Sequence, residues 1–426
     1  MPQFRYRHRV LSLLFLLSII TYLDRVCISV AGPAMQKDLG LSQTQWGWVV
    51  GIFALSYAVF EVPSGSLADR IGPRKVLTRI VLWWSVFTTL TGRVNSLGTL
   101  LAVRFAFGAG EAGAYPGSSS SIARWFPLAE RGRAHGTVWM ASRLGGALTP
   151  LLVYPILAAY GWRECFYIFG IVGVLWCVIW YWWYRDLPSE KPEVTAEELE
   201  EIGEISDRAH VGLPWGQALR SANLWKIMLM YHTYCWGGFF YLSWLHTYLA
   251  KGRNFEGDEL KFLSMLPFLA GAAGNLTGGA LSDFLVKRFG LGLGRRVVGT
   301  AGLAVSALCV FGTGVTPDRY VAVALLSLGY FAMDCMLPVS WSICLDVGRK
   351  YAGTVTGAMN TAGQLGSFLS SIAFGALVDR FNGRYDIPLM LFGVMLAISA
   401  AIYTQIDPTE QLIPETSATP APSLVG

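Results

Sequence analysis

Long apolar runs recur from one end of this chain to the other, separated by short polar stretches. Each run is about as long as a helix must be to cross a bilayer, roughly 20 residues. The pattern predicts twelve spans, at residues 10–34, 45–67, 76–93, 97–123, 133–159, 164–184, 222–250, 260–286, 296–314, 319–346, 352–378 and 387–405. The runs are continuous rather than alternating, which excludes a β-barrel. The opening Arg5-Tyr6-Arg7-His8-Arg9 before an apolar stretch has the outline of a signal peptide. That stretch is longer than a signal core, carries Asp24-Arg25 and leads into more spans, so it reads as an uncleaved first helix.

The polar connector 185–221 divides the spans six and six. This predicts a bundle over 1–184, the connector, and a second bundle over 222–405. Thr195-Ala196-Glu197-Glu198 is a capping-box pattern opening an acidic run, so a short surface helix is expected there. Residues 406–426 are rich in Pro, Ser and Thr and read as a disordered tail.

Composition agrees with this picture. The 426 residues are 53% hydrophobic and only 14% charged, against about 25% charged in soluble domains. The mean hydropathy is +0.45. The fold class is an all-α membrane protein with no separate soluble domain.

Basic residues fall unevenly on the two sides. Arg5, Arg7, Arg9, Arg70, Arg74, Lys75, Arg79, Arg124, Arg131, Arg133, Lys287, Arg288, Arg295, Arg296, Arg349 and Lys350 share one side with the connector. Lys37, Arg93, Arg163, Lys251, Arg253, Lys261, Arg319, Arg380 and Arg384 take the other. The positive-inside rule makes the first side, with both termini, cytoplasmic. The net charge of +5 reflects this asymmetry and implies no nucleic acid partner. Cys27, Cys165, Cys177, Cys235, Cys309, Cys335 and Cys344 all lie in spans without ligand spacing. They read as small buried apolar residues, with no disulfide and no metal. No phosphate-binding loop, zinc motif or nucleophile elbow is present, so neither an enzyme, a cofactor nor ATP coupling is expected.

The chemistry lies in the charges within the spans. Asp24 and Arg25 share one span, and Arg104 and Glu111 another. Each costs about 2.5–3.5 kcal/mol on insertion scales, so it must be paired or face a polar cavity. A transport pathway is the leading reading, against helix–helix pairing alone. Arg25 suits a carboxylate, because its planar fork binds two oxygens at once. Asp24 lies about 100° round the helix and is better placed to face a neighbour. Arg104 and Glu111 stand two turns apart on one face, about 10.5 Å in rise, so each needs a partner from another helix. Gly108, Gly110 and Gly113 leave room around Glu111 for a close helix or water. An acid there is neutral when desolvated and ionised when Arg or water reaches it, as proton coupling requires. Glu111 is the main coupling candidate, with Asp24 second and Arg104 as its switchable partner.

A weak internal repeat adds a gate. Gly65-Ser66-Leu67-Ala68-Asp69-Arg70-Ile71-Gly72-Pro73-Arg74-Lys75 follows the second span. Gly279-Ala280-Leu281-Ser282-Asp283 and a basic cluster follow the eighth. The Gly admits a close helix and the Asp pairs with a base or a helix N-terminus, contacts that break when two halves rock. Gly65, Asp69, Arg70, Gly72, Arg74 and Asp283 are the gating candidates.

The first copy resembles the loop signature of the major facilitator superfamily. Tyr22-Leu23-Asp24-Arg25, the stretch from Arg104 through Glu111 to Pro116-Gly117, and Arg124-Trp125-Phe126-Pro127-Leu128-Ala129-Glu130-Arg131 resemble its anion:cation symporter branch. The resemblance covers the chain to about residue 405. It implies two pseudo-symmetric six-helix bundles around a central cavity, importing an organic anion with protons. The implied substrates are sugar acids (hexuronate, aldonate, aldarate) or a related carboxylate such as tartrate. It also implies the carboxylate role for Arg25 and proton coupling for both acids. It places hydroxyl-binding residues near Asn360 and Trp341.

Further candidates surround these. Tyr22 and Tyr57 offer hydroxyls to the cavity. Asn360 and Gln364 sit one turn apart, and Trp341, Ser340 and Ser342 add donors. Phe60-Glu61-Val62-Pro63-Ser64 resembles the Phe-Glu-x-Pro-Ser of tartrate- and phthalate-type members, where many sugar-acid members have Gln, so the substrate subclass stays open; Glu61 is otherwise a cap above Pro63. Arg143 is a second cavity cation suited to a dicarboxylate, or a snorkelling arginine, the reading favoured slightly by its position near a loop. Tyr234, Tyr241, Trp244 and Tyr248 form a cavity wall or, more commonly, packing. His232 and His246 read as satisfied buried histidines, and Asp334 is unassigned. The sequence thus predicts a proton:organic-anion symporter, monomeric, in a bacterial-type inner membrane. An anion exchanger and a non-transporting receptor are the alternatives.

Overall fold

The computed structural model describes residues 5–203 and 214–413, without the side chains of residues 62, 65, 66, 68–70, 128, 129, 131, 132, 350, 352 and 353. One bundle holds α1 (Tyr6–Leu39), α2 (Gln43–Ile71), α3 (Pro73–Thr91), the broken pair α4 (Leu97–Glu111) and α5 (Ala114–Trp125), α6 (Leu128–Tyr160) and α7 (Trp162–Trp183). The connector carries α8 (Ala196–Ile202) and α9 (Trp215–Ala218). The other bundle holds α10 (Ala222–Ser243) with its continuation α11 (Leu245–Thr247), then α12 (Gly257–Phe289) and α13 (Leu291–Val315). It ends with α14 (Arg319–Gly348), α15 (Ala352–Arg380) and α16 (Asp386–Tyr403). Each predicted span falls on one helix or one such pair, and no strand occurs among the described residues. Only helices can satisfy their own backbone groups in lipid, which is why the pattern was so readable.

Trp46, Trp84, Trp125, Trp180 and Trp244 are fully buried and fill the bundle interiors. Trp182, Leu308 and Val315 are among the large apolar residues that point outward, as a lipid-facing ring requires. The bundles meet mainly where α2 packs on α15 and α6 on α12.

Twelve spans return the chain to the face where it began. On the opposite face the bundles are sealed. A Cβ on Gly47 would lie 2.5 Å from the Ser371 carbonyl oxygen, so α2 and α15 touch backbone to backbone there. Asp379 accepts hydrogen bonds from the backbone N–H groups of Gln43 (3.1 Å) and Thr44 (2.7 Å) and from the Thr44 hydroxyl (2.6 Å). A carboxylate from one bundle thereby caps the N-terminus of a helix in the other, where the helix dipole also favours it. Lys251 donates to Gln36 at 3.0 Å, and Tyr154 bonds the His246 ring at 2.8 Å. These contacts must break before this face opens. Asp379→Asn is therefore expected to raise maleimide labelling of a cysteine introduced at Gln36 about tenfold, the effect of about 1.4 kcal/mol. Unchanged labelling would show that the cap does not hold the seal.

The terminus-bearing face is tied together differently. Thr195 caps α8 through the Glu198 N–H, as the sequence predicts. The Glu198 carboxylate does not fold back on that cap. It accepts from the backbone N–H groups of Tyr6 (3.0 Å) and Arg7 (2.9 Å), at the start of α1. Arg7 pairs with Glu201 at 2.9 Å and Glu130 at 3.0 Å. The bond from Arg7 holds the Glu201 carboxyl below its usual range. Residues 406–413, expected to begin a disordered tail, are instead held to the second bundle. The Arg296 guanidinium donates to the Ile406 carbonyl, Asp407 bonds Asn223, and the Leu412 N–H donates to Val347. Residues 414–426 lie outside the described residues.

Candidate substrate and coupling site

Arg25 projects from α1 and its Nε pairs with the carboxylate of Glu111 at the end of α4. Its guanidinium lies over the rings of Tyr57 (4.9 Å), Phe53 (5.2 Å) and Tyr22 (5.5 Å). Such faces favour a cation and exclude water. One terminal nitrogen of Arg25 and the second oxygen of Glu111 are buried with no hydrogen-bond partner in the protein. Unmade bonds of this kind are costly, and more so for charged groups.

Glu111 therefore meets a cation from another helix, as its two-turn distance from Arg104 requires, and that cation is Arg25. Arg104 lies over Phe107 (4.8 Å) and Phe53 (5.1 Å), with Asp24 and Glu111 as charged neighbours. Asp24 has Glu111 and Arg104 as its charged neighbours, and both its oxygens are buried without a hydrogen bond. The single span expected over 97–123 is broken at Ala112-Gly113, directly after Glu111. The glycine space there is taken by close helices. A Cβ on Gly108 would meet Ser56 Oγ at 2.1 Å, and one on Gly110 would meet the Trp83 ring at 2.0 Å.

Arg143 is not a snorkelling residue. It lies buried in α6, with Nε and one terminal nitrogen donating to Asp334 of α14 at 2.6 and 2.9 Å. The other terminal nitrogen donates to the Tyr22 hydroxyl at 3.2 Å. Asn275 of α12 donates to the same Asp334 at 3.0 Å. Nearness to a loop in sequence is no guide here, because Arg143 lies about four turns into α6, which begins at Leu128. Asp334 thereby gains an assignment, as the carboxylate on Arg143.

Aromatic side chains close the space between these pairs. Tyr115 stacks on Trp139 at 4.6 Å, and Trp139 meets Trp341 edge-on at 5.1 Å. The Trp341 ring N–H donates to the Tyr231 hydroxyl at 3.4 Å. Tyr115, Trp139 and Tyr231 were not singled out, because an aromatic residue in an apolar span carries no mark of the face it lies on. Asn360 donates to Glu61 at 2.6 Å across the bundles, so Glu61 is no cap above Pro63. Gln364 is half-buried, and its carbonyl oxygen makes no bond. The Ser342 hydroxyl donates to Pro338 of its own helix, and that of Ser340 to Met336. Tyr241 stacks on Tyr330 at 4.0 Å, and Trp244 and Tyr248 are buried in the same core, as packing. The His232 ring bonds the Ala362 carbonyl.

Of the gating candidates, Gly65, Asp69 and Arg70 have side chains outside the described residues. Gly72 takes φ +95° between α2 and α3, a conformation that favours glycine. The Arg74 N–H donates to Asp186 at 2.8 Å, and its guanidinium to the Tyr181 carbonyl. In the second copy, Asp283 pairs with Arg295 at 3.3 Å, and Arg295 also reaches Asp346 at 3.3 Å.

The Major Facilitator Superfamily model matches residues 14–371. The chain belongs to that superfamily. It is 39% identical over 407 residues to a probable sulfoacetate transporter of Cupriavidus necator, covering 94% of each chain. It is 30% identical to a probable L-galactonate transporter of Escherichia coli, covering 94% of this chain and 89% of that one. It is 31% identical to a probable galactarate/D-glucarate transporter of Bacillus subtilis, covering 88% and 87%. These relatives agree with the anion:cation symporter branch. In fold it is similar to a bacterial homologue of the lysosomal transporter Spinster, with TM-score 0.75 at 21% identity over 95% of this chain and 97% of that one. The xylose transporter XylE of E. coli gives 0.74 at 16% identity over 97% and 99%. The protein is thus a polytopic membrane transporter and not an enzyme.

Proposed function

We propose that this transporter is a secondary active symporter that takes up a small organic anion with protons by alternating access. The substrate is a sugar acid or related carboxylate, a class that includes the galactonate, galactarate and glucarate named for its relatives. The observation that carries this reading is the buried Arg25–Glu111 pair inside an aromatic cage. A substrate carboxylate reaching Arg25 competes with Glu111 for the same guanidinium. A displaced, buried carboxylate is relieved by taking up a proton. Anion binding and proton binding then favour each other through one shared cation.

Arg25 anchors the carboxylate. Tyr22, Tyr57, Trp341, Ser342, Asn360 and Gln364 surround the rest of the anion. Glu111 carries the coupled proton, with Asp24 second and Arg104 tuning both. The rocking units are residues 1–184 and 222–405, joined by the connector 185–221. Gly65, Asp69, Arg70, Gly72, Arg74 and Asp283 serve the gate on the terminus-bearing face, which is cytoplasmic by charge bias. The membrane is a bacterial-type inner membrane, and the transporter works as a monomer.

Uptake of radiolabelled galactonate and galactarate into proteoliposomes under an imposed inward proton gradient tests the reading. Accumulation that collapses with a protonophore is expected. Uptake that depends instead on a counter-anion preloaded inside would identify an exchanger.

A further inference from the structure

The Arg143–Asp334 pair joins the two bundles beside the site but has no part in the coupling scheme above. Arg143 contacts the anchor region directly. Its guanidinium lies 5.6 Å from the Tyr22 ring centroid, and that of Arg25 lies 5.5 Å from the same centroid. The two cations are therefore separated by at most the sum of those distances, with Tyr22 shared between them. Trp139, one turn before Arg143 on α6, belongs to the aromatic cage through Tyr115 and Trp341.

We infer that Arg143 is a second anion-binding residue and that the preferred substrate is a short dianion held between Arg25 and Arg143. Asp334 occupies Arg143 through the same two-point fork that a substrate carboxylate or sulfonate would use. It is thus an internal stand-in for the second anionic group. A buried guanidinium without an anion is strongly unfavourable, so an anion must sit there in every state. When the substrate's second anionic group takes that place, Asp334 keeps its bond from Asn275 on α12, within its own bundle. Arg143 on α6 exchanges a partner fixed in the other bundle for one carried by the substrate. A monoanion engages Arg25 alone and leaves the Arg143–Asp334 pair closed. The symmetry is notable: each cation is held by an internal acid, Glu111 or Asp334, which one end of the substrate replaces.

This inference rests on the organic-anion reading of the site, and the test separates the two. Dissociation constants are measured by calorimetry on purified protein for two matched pairs. Galactarate and galactonate share a six-carbon skeleton, and sulfoacetate and 2-hydroxyethanesulfonate a two-carbon one. In each pair the second member replaces one carboxylate by a hydroxymethyl group. Wild type is expected to favour the dianion of at least one pair by tenfold or more. Arg143→Gln is expected to reduce that preference to within about twofold. Because this variant leaves Asp334 unpaired and risks misfolding, the neutral double variant Arg143→Gln/Asp334→Asn is measured beside it, with the same loss expected. Asp334→Asn alone should increase the preference, since the internal competitor is gone. Wild type binding the monoanions as tightly as the dianions would overturn the inference and leave the organic-anion reading standing. A preference that survives in the double variant would overturn it equally. Wild type binding neither member of either pair would overturn both readings.

Discussion

Glu111→Gln is expected to abolish accumulation driven by a proton gradient while exchange of substrate across the membrane continues. A gradient of one pH unit is worth about 1.4 kcal/mol per proton, so a single coupled proton supports roughly tenfold accumulation. In the variant the ratio should fall to about one. Gln has the shape of the protonated acid but carries no exchangeable charge, so the position is fixed in one protonation state. Arg25 then loses its internal competitor, and the anion still has its anchor. Counterflow of labelled substrate against unlabelled substrate, with no gradient, measures the part that should survive. Accumulation at the wild-type ratio in this variant would remove Glu111 from the coupling role and shift attention to Asp24, whose two oxygens make no hydrogen bond.

Arg25→Lys is expected to weaken anion binding about thirtyfold although the charge is kept. Arg25 offers a planar fork, with one nitrogen on Glu111 and another buried without a partner. Lysine offers one compact charge and cannot bond a carboxylate at two points while facing Glu111. Losing one charge-assisted hydrogen bond of about 2 kcal/mol gives that factor. The lysine is also a poorer match to the four rings around Arg25, Tyr115 included, which suit a flat, weakly hydrated cation. Titration of purified protein with galactonate and galactarate measures it. An unchanged dissociation constant would mean that the carboxylate anchors elsewhere, with Arg143 the next candidate.

Arg25 and Glu111 also show how much was legible in the chain. Their presence in apolar spans marked them at once, because a charge in a bilayer core is too costly to be incidental. Their pairing was not legible. Arg104 was nearer in sequence and on the same helix face, yet the side chain on Glu111 comes from α1, 86 positions away. Helix periodicity gives the face a residue occupies, but not the rotation of one helix against the next. That rotation follows from packing, here from glycines that draw α4 onto Ser56 and Trp83.

Arg143 and Asp334 make the same point across the bundles. Arg143 alone supported two readings and Asp334 none, and 191 positions separate them. Only the docking of α6 beside α12 and α14 brings them together, with Tyr22 and Asn275 completing the set. Glu61 is similar: its neighbour Pro63 suggested a local cap, and the tertiary structure gave it Asn360 instead.

What the sequence determined by itself was the number of spans, their limits to within a few residues, the six-and-six division and the helix cap at Thr195. Those follow from rules that act locally: apolar length sets a span, backbone satisfaction in lipid demands a helix, and a side chain reaches only its own first turn. What the tertiary structure alone decided was which charge meets which, the break after Glu111, the docking of residues 406–413 and the seal of α2 against α15. Each depends on contacts between segments far apart in the chain, and their geometry is set by how whole helices pack rather than by any stretch of sequence read alone.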